Sequence, residues 1–423
     1  MKRPALAAAV LAVCVLLAAP GTAVAAEGDD PVPPPARSAV PSGARPTPEN
    51  AQLGPTRCST PGKASAELPA TETDRMHLDR LHRIATGRGQ RVAVIDTGVA
   101  SHPGLAGRLV GGGDYLAGGD GLQDCDGHGT AVAGIIAARP PAGSTGMTGI
   151  APEAEVLSVR QTSDALTVTD GHGAKVSPGT TTTLAKAIVL AVDQGATVIN
   201  MSEAACVPAE QAGDVGDLMH AALDYAIARD VVVVAAMGNA AGRTCTGKGL
   251  VSMPAWFDDE VLAVGAADAF DAPAAFSFRA SYVDVAAPGT DLHSLAPGGG
   301  YTSEAVNGTS FAAPWVAGLA ALLRERFPQL TARQVVDRIV ATAHRPGDGR
   351  DAALGYGVID PVAALTSAPL ILAAAHEETR PAATLSGTTP LPAQPAPGVP
   401  YDLLVLGLLV LAAGIVALRL RRP

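Results

Sequence analysis

Four residues whose side chains can together cleave an amide bond lie in short glycine-rich motifs of this chain. They are Asp96 in "VIDTG", His128 in "DGHGTAVAG", Asn239 in "AAMGNA" and Ser310 in "NGTSFAAP". A serine hydroxyl is a weak nucleophile until a neighbouring base takes its proton. An imidazole oriented by a carboxylate is such a base, and a side-chain amide donates to the oxyanion that forms on the attacked carbonyl. The residue types therefore predict nucleophilic acyl transfer.

Each of these residues has a defined role in that chemistry. Ser310 is expected to attack the carbonyl, and His128 to accept its proton and pass it to the leaving amine. Asp96 is expected to hold the imidazole tautomer and stabilise its charged form. Asn239 and the backbone N–H of Ser310 are expected to stabilise the oxyanion, with Gly308 allowing close backbone approach. Singly, each residue also fits a plain cap or turn, but together and in this order they favour catalysis.

The tetrapeptide Asp-Gly-His-Gly occurs twice, around His128 and around His172. The first copy is followed by Thr130 and small residues that predict a helix packed tightly on a sheet. The second is followed by Ala-Lys-Val-Ser-Pro-Gly, which is typical of a surface loop. We therefore interpret His128 as the catalytic copy and His172 as a solvated loop residue. The remaining histidines are interpreted as surface or packing residues: His77, His82, His102, His220, His293 and His344.

Strand-like and helix-like segments alternate through the middle of the chain. Short runs rich in β-branched residues predict strands at 91–99, 154–160, 196–202, 231–239, 260–268 and 282–289. Apolar residues three to four apart predict helices at 128–138, 182–194, 217–230, 310–327 and 331–343, with a last short helix near Ala363. This alternation predicts an α/β fold with a mostly parallel sheet flanked by helices. The four candidate residues then fall at the carboxyl ends of strands or at helix N-termini, where function gathers in such sheets.

Both ends of the chain differ from this middle part. Lys2 and Arg3 precede an apolar run and an Ala-x-Ala site, which predicts a secretory signal. Cys14 lies inside that run, which disfavours a lipoprotein. The segment from Tyr401 is apolar over about 27 Å of helix and ends in arginines, which predicts a membrane span with a cytoplasmic tail. The predicted division is a signal peptide (1–26), a Pro-rich extension (27–75), a peptidase-like domain (76–372), a Pro-rich linker (373–400), a transmembrane helix (401–419) and a tail (420–423).

Charge and cysteine usage narrow the function further. The formal net charge is −10 and there is no basic tract, which argues against nucleic acid as a partner. Four cysteines remain after the signal peptide, and an even number in an exported chain predicts two disulfides, with three pairings open. No CxxC-like spacing indicates zinc and no calcium loop is identifiable, so we expect neither a required metal nor a cofactor.

The motifs "DTG", "HGTxVAG" and "GTSFAAP", in that order, resemble those of the subtilisin-like serine proteases, over about residues 90–365. "CDGHGT", "INMSEAAC", the Pro-rich extension, the paired cysteines and the C-terminal apolar segment are similar to the mycosins, membrane-anchored subtilases of type VII secretion systems. The resemblance implies a subtilisin-like three-layer fold and a serine endopeptidase outside the cell membrane. It implies protein or peptide substrates drawn from a limited set of exported proteins, and type VII secretion membrane components as partners.

The resemblance also bears on the cysteines. Cys206 and Cys245 each follow a strand, and these strands are expected to be neighbours, which leaves Cys58 for Cys125. The mycosin resemblance supports the same pairings, 58–125 and 206–245. The extension would then stay on the mature enzyme beside His128.

"INMSEAAC" departs from the Ser-Leu-Gly-Gly run that often lines the cleft of subtilases. Glu203 and Cys206 are expected to reshape that wall. Two other functions stay open. One is a mainly structural subunit of the secretion complex, with proteolysis secondary. The other is a nonspecific nutritional protease, which the membrane tether disfavours.

Overall fold

A computed structural model describes residues 40, 41, 46, 75–143, 146–169, 173–240, 245–344 and 349–368. The chain divides into two compact units, Met1–Leu370 and Ile371–Pro423, and every described residue belongs to the first. The predicted signal peptide, linker, membrane segment and tail lie outside the described residues, as does almost all of the extension. Within the described ranges, no helix combines the length and apolarity needed to cross a bilayer.

The described elements alternate between strand and helix. In chain order they are α1 (Leu78–Leu81), β1 (Arg91–Asp96), a turn of 3-10 helix (Pro103–Leu105), β2 (Leu109–Asp114), α2 (His128–Ala137), β3 (Glu155–Arg160), β4 (Val168–Thr169), β5 (Lys175–Val176), α3 (Thr181–Asp193), β6 (Val198–Met201), β7 (Ala205–Pro208), α4 (Ala209–Ile227), β8 (Val232–Ala236), β9 (Leu250–Met253), β10 (Leu262–Ala267), β11 (Val285–Pro288), α5 (Thr309–Arg326), α6 (Ala332–Thr342) and α7 (Pro361–Thr366).

Seven strands form one sheet in the order β11-β10-β8-β6-β1-β3-β2, and every pairing in it is parallel. Strand β1 lies between β6 and β3, with Val92 opposite both Val198 and Val156. Because the strands are parallel, their carboxyl ends meet at one edge of the sheet. That edge carries the ends of β1, β6 and β8.

The sheet is covered on both faces. Alternate residues of a strand point to opposite sides, so Val92 and Val94 pack into one core cluster while Ala93 and Ile95 pack into another. The first cluster contains side chains of α2, α5, α6 and α7, and the second contains those of α3 and α4. The predicted α/β architecture of helices on both faces of a mostly parallel sheet is confirmed.

Two short antiparallel pairs accompany the main sheet, β4 with β5 and β7 with β9. In the second pair Cys206 lies opposite Ser252, and the Cys206 sulfur is bonded to Cys245. The predicted 206–245 disulfide is therefore present. Cys125 is also disulfide-bonded, but Cys58 lies outside the described residues, so the 58–125 pairing stays a prediction.

Three local features differ from the sequence prediction. Strand β2 was not expected, because "LVGGGD" carries three glycines, and its pairing with β3 is irregular between Gly111 and Gly113. Helix α4 begins at Ala209 rather than at the predicted Asp217. Cys206 lies inside the short strand β7 rather than in a loop beyond a strand. Each difference comes from glycine-rich or short segments whose structure depends on a tertiary neighbour.

Helix α5 packs so closely on the segment before β3 that a side chain is excluded at Gly318. A Cβ placed there would lie 2.0 Å from Cγ2 of Ile150, which is fully buried. Van der Waals contact needs nearly twice that separation. The small residue therefore sets the distance between the central helix and its neighbour.

We expect Gly318→Ala to lower the free energy of unfolding by about 1–2 kcal/mol, because overpacking a core costs about 1–3 kcal/mol and alanine regains less than about 1 kcal/mol in a helix. Ile150→Ala removes the clashing methyl group, so the double variant should be less destabilised than the sum of the two single variants. Denaturant unfolding followed by circular dichroism measures all three. Strict additivity would show that these two residues do not set the packing distance.

Candidate active site

Asp96 is the last residue of β1 and is fully buried. Its Oδ1 accepts hydrogen bonds from His128 Nδ1 at 2.7 Å and from the Thr97 backbone N–H at 2.7 Å. Its Oδ2 is buried without a hydrogen-bond partner. A buried carboxylate is costly unless it is paired, so these donors hold Asp96 and the imidazole in one geometry.

His128 is the first residue of α2, and its position requires close contact with the loop after β1. A Cβ on the following residue, Gly129, would lie 2.1 Å from the Gly98 carbonyl oxygen and 3.0 Å from Asp96 Oδ1. Only glycine fits there, since any side chain would push the helix away from the strand end. The glycine in the His-Gly-Thr motif therefore brings the imidazole within reach of Asp96.

A second aspartate, Asp124, fixes the same helix start. Its Oδ1 accepts from the Gly127 backbone N–H at 2.8 Å and from the Thr97 hydroxyl at 2.9 Å, and its Oδ2 accepts from the N–H and hydroxyl of Thr130 at 2.8 and 2.6 Å. Burial raises the pKa of this carboxyl, and the Thr130 donors oppose that shift. Sequence reasoning missed this residue, although an acidic side chain just before a helix start is a recognisable capping signal.

Ser310 is the second residue of α5, and a proline lies four residues later in the same helix. Pro314 has no N–H, so it cannot donate to the Ser310 carbonyl as the helix pattern would require. The hydroxyl of Ser202, just past β6, donates to that carbonyl at 2.7 Å instead, and accepts from Asn200 Nδ2 at 2.8 Å. The helix that carries Ser310 is thereby fastened to the carboxyl edge of the sheet.

Asn239 follows β8, and its side-chain amide has a fixed orientation. Its Oδ1 accepts from the Thr309 N–H at 3.0 Å and from the Thr309 hydroxyl at 3.1 Å, so Nδ2 points the other way. A Cβ on Gly308 would lie 2.7 Å from Ser310 Oγ and 3.3 Å from Asn239 Nδ2. The hydroxyl and the amide donor therefore flank one point, which stays open because Gly308, at φ 155°, carries no side chain.

The start of α2 meets the start of α5 at this point. The His128 ring packs against the ring of Phe311, the residue after Ser310, with 5.0 Å between centroids. These contacts place Asp96, His128, Asn239 and Ser310 around the strand ends and the starts of α2 and α5. Their catalytic roles stay a prediction. The rival histidine, His172, lies outside the described residues.

Glu203 is the further acidic residue of the site. Its Oε1 lies 3.4 Å from His128 Nδ1, and its side chain is 39% exposed. Burial alone would lower the pKa of His128, but the carboxylates of Asp96 and Glu203 outweigh burial and raise that pKa to about 10. Although the side chain is partly exposed, removal of its carboxylate from bulk water, together with the negative charges of Asp96, Asp164 and Asp126, raises the pKa of Glu203 to about 7, against the opposing charge of His128. The sequence indicated a reshaped cleft wall here but did not indicate contact with the imidazole.

Two groups of described residues place metal-ligand atoms within 4.8 Å of one another. The first is Asp96, His128 and Glu203, but the 2.7 Å from His128 to Asp96 is a hydrogen-bond length, shorter than about 3.3 Å between two ligands of a tetrahedral zinc. The second is His220, Asp224 and Glu260, with 3.5 Å between His220 Nε2 and Glu260 Oε1. The first group is therefore arranged for proton transfer, and the expectation of no required metal stays a prediction.

Comparison with known proteins identifies the family. The subtilase family profile matches residues 87–357. Mycosin-4 of Mycobacterium tuberculosis (strain ATCC 25618 / H37Rv) is 47% identical over 310 residues, which cover 69% of this chain and 68% of that protein.

Solved structures agree with this assignment. A crystal structure of MycP1 from the ESX-1 type VII secretion system is 37% identical, with a TM-score of 0.71 over 80% of this chain and 96% of that one. A chain in the structure of an intact ESX-5 inner membrane complex is 34% identical, with a TM-score of 0.69 over 92% of this chain and 96% of that one.

The contacts of Thr309 generate a prediction about the amide of Asn239. Thr309→Val removes the hydroxyl that donates to Asn239 Oδ1 and that accepts from the Gly238 N–H at 3.0 Å. We expect kcat on a peptide ester to fall about tenfold with KM nearly unchanged, less than the about 10²–10³-fold that follows removal of an oxyanion donor. Thr309→Ser keeps the hydroxyl and should retain near-normal kcat. Equal losses in the two variants would contradict this role.

Proposed function

The chain belongs to the subtilase family and, within it, to the mycosins, and on that premise we propose that Asp96, His128 and Ser310 are its catalytic triad, with Asn239 as the oxyanion donor. The protein is a serine endopeptidase. The observation that carries the residue assignment is the 2.7 Å bond from His128 Nδ1 to the buried Asp96 carboxylate. It fixes which nitrogen faces the acid and leaves Nε2 for the serine.

In the proposed acylation step, Ser310 Oγ attacks the peptide carbonyl carbon while His128 Nε2 takes the hydroxyl proton. The carbonyl oxygen becomes an oxyanion next to Gly308, where Asn239 Nδ2 and the backbone N–H of Ser310 donate to it. Asp96 stabilises the imidazolium through Nδ1. The imidazolium then protonates the leaving amine, the C–N bond breaks, and an acyl-enzyme remains on Ser310.

In the proposed deacylation step a water takes the place of the departed amine. His128 Nε2 removes a proton from this water, whose oxygen attacks the acyl carbon. The second tetrahedral intermediate collapses, the bond to Ser310 Oγ breaks, and the proton returns from His128 to Ser310. The enzyme is regenerated with a carboxylic acid as the second product.

We propose that the peptidase domain works outside the cytoplasm, held by a single membrane helix at 401–419. The apolar segment that ends in arginines, together with the signal-like N-terminus, supports this arrangement. The matching chain within an ESX-5 inner membrane complex supports an association with type VII secretion membrane components. A limited set of exported proteins is the proposed substrate class.

A mainly structural role in the secretion complex is the second candidate function. It is favoured by the match to a chain solved inside an assembled inner membrane complex, which spans 92% of this chain. A structural role would need the fold and the membrane segment but not the Ser310 hydroxyl. The two functions therefore separate on variants that keep the protein folded.

A fluorophosphonate probe tests the nucleophile directly. We expect the wild-type protein to be labelled and Ser310→Ala not to be labelled, because the probe bonds to the activated serine. His128→Ala should slow labelling at least about 10³-fold, since the triad acts as a unit. Ser303→Ala changes an exposed serine seven residues earlier and should label normally. Labelling of Ser310→Ala at the wild-type rate would contradict the assignment.

Secretion in cells carrying Ser310→Ala separates catalysis from assembly. If proteolysis is the main role, we expect secretion of the exported proteins to fall with Ser310→Ala as far as it falls with a full deletion. Immunoblots of culture filtrate measure the exported proteins, and blots of membranes confirm equal amounts of the variant. Normal secretion with Ser310→Ala, and none with the deletion, would assign the main role to structure.

A further inference from the structure

Glu203 approaches the catalytic imidazole at Nδ1, the same ring nitrogen that is hydrogen-bonded to Asp96. Nδ1 of His128 has a single N–H to donate, and Asp96 Oδ1, at 2.7 Å, accepts it. Two carboxylates therefore lie near this one N–H, and that of Glu203 is the more distant, with its Oε1 at 3.4 Å from the nitrogen. It acts on the imidazole through its charge more than through a share of the hydrogen bond.

The backbone around Glu203 is held in place on both sides. On one side, the Ser202 hydroxyl donates to the Ser310 carbonyl at 2.7 Å. On the other side, β7 begins at Ala205, pairs with β9 and is cross-linked through Cys206 to Cys245. The nucleophile's own helix and a covalent bond thus fix the segment that presents this carboxylate to His128.

Apart from the effect of His128 and Glu203 on each other, the charged groups that act most strongly on them are all carboxylates. Asp96 and Asp124 face His128, and Asp96, Asp126 and Asp164 face Glu203. Asp126 is itself bonded to the loop at Asp164, whose N–H donates to Asp126 Oδ1 at 2.7 Å. Within the part of the chain that the structure describes, none of these strongest influences on His128 is a basic side chain, so the field at the imidazole favours its positive form.

This field opposes the first step of catalysis. The imidazole can accept the Ser310 proton only when it is neutral, and the carboxylates of Asp96 and Glu203 outweigh burial to raise the pKa of His128 to about 10. The two carboxylates therefore favour the charged form of the imidazole in the free enzyme. A charge-neutral side chain at position 203 would remove one of the two main causes.

We propose that Glu203 is a positioning residue that restrains the resting peptidase: its carboxylate, held 3.4 Å from His128 Nδ1, keeps the imidazole charged wherever Glu203 is itself ionised, and so withholds the general base from neutral pH upward. The inference rests on the proposed triad. The departure of "INMSEAAC" from the usual cleft motif then sets the pH range of activity, a role separate from the shape of the substrate cleft.

The test compares fluorophosphonate labelling rates of the full-length wild type and Glu203→Gln in detergent between pH 5 and 11. We expect the midpoint of the acidic limb to move down by about one pH unit or more in Glu203→Gln, since an opposite charge at this distance shifts a pKa by about 1–3 units. The variant should therefore label a few-fold faster than wild type at pH 8–9, where the Glu203 carboxylate of the wild type is ionised. At high pH it should label a few-fold more slowly, because a less basic imidazole is a weaker base.

Glu210→Gln is the matched control. It removes the same charge from an exposed position in the first turn of α4, seven residues along the chain, and should leave the midpoint unchanged. An equal loss of rate at every pH in Glu203→Gln, with no movement of the midpoint, would assign Glu203 a structural role only and overturn the proposal. Glu203→Asp keeps the charge and should keep a midpoint closer to wild type than that of Glu203→Gln.

A second measurement does not depend on catalysis. The titration of the His128 ring, followed by NMR in ¹³C-histidine-labelled Ser310→Ala, should have a midpoint at least about one pH unit above that in Ser310→Ala/Glu203→Gln. Equal midpoints would overturn the proposal even if the labelling profiles differ. Absence of labelling in wild type at every pH would instead contradict the triad, while the NMR comparison would still decide the effect of Glu203.

Discussion

The hydrogen bond between the buried carboxylate of Asp96 and the imidazole of His128 is the interaction on which the site depends. Its two partners are 32 residues apart in sequence, one at the end of a central strand and one at the start of a helix. A buried carboxylate without partners would be strongly unfavourable, so the strand end and the helix start stabilise each other. The absence of a side chain at Gly129 is what allows them to approach.

The same edge of the sheet organises the nucleophile. Ser202 follows β6 and supplies the donor that Pro314 withholds from the Ser310 carbonyl, while Asn239 follows β8 and bonds the start of the same helix through Thr309. Three adjacent strands, β1, β6 and β8, thus each place one polar residue against α2 or α5. The polar groups of the site meet because parallel strands end at the same edge of the sheet. The segment that carries Glu203 continues from that edge toward the imidazole.

Much of this arrangement could be predicted from the sequence, because strand and helix periodicity placed Asp96, His128 and Ser310 at the right element ends. The parallel sheet with two covered faces followed from the same alternation. Strand β2 could not be predicted, since its glycines have no strand preference and it forms only by pairing with β3. The contact of Glu203 with His128 depends on tertiary packing between residues 75 positions apart, and local sequence patterns do not predict such contacts.

Rates of fluorophosphonate labelling for Asp96→Asn, His128→Ala and the double variant test the central claim most directly, because residues that act as one unit show strongly non-additive losses. The account predicts that the double variant labels about as slowly as His128→Ala alone, since the carboxylate acts only through the imidazole. Multiplication of the two single losses in the double variant would show that Asp96 and His128 act independently, and would contradict the account.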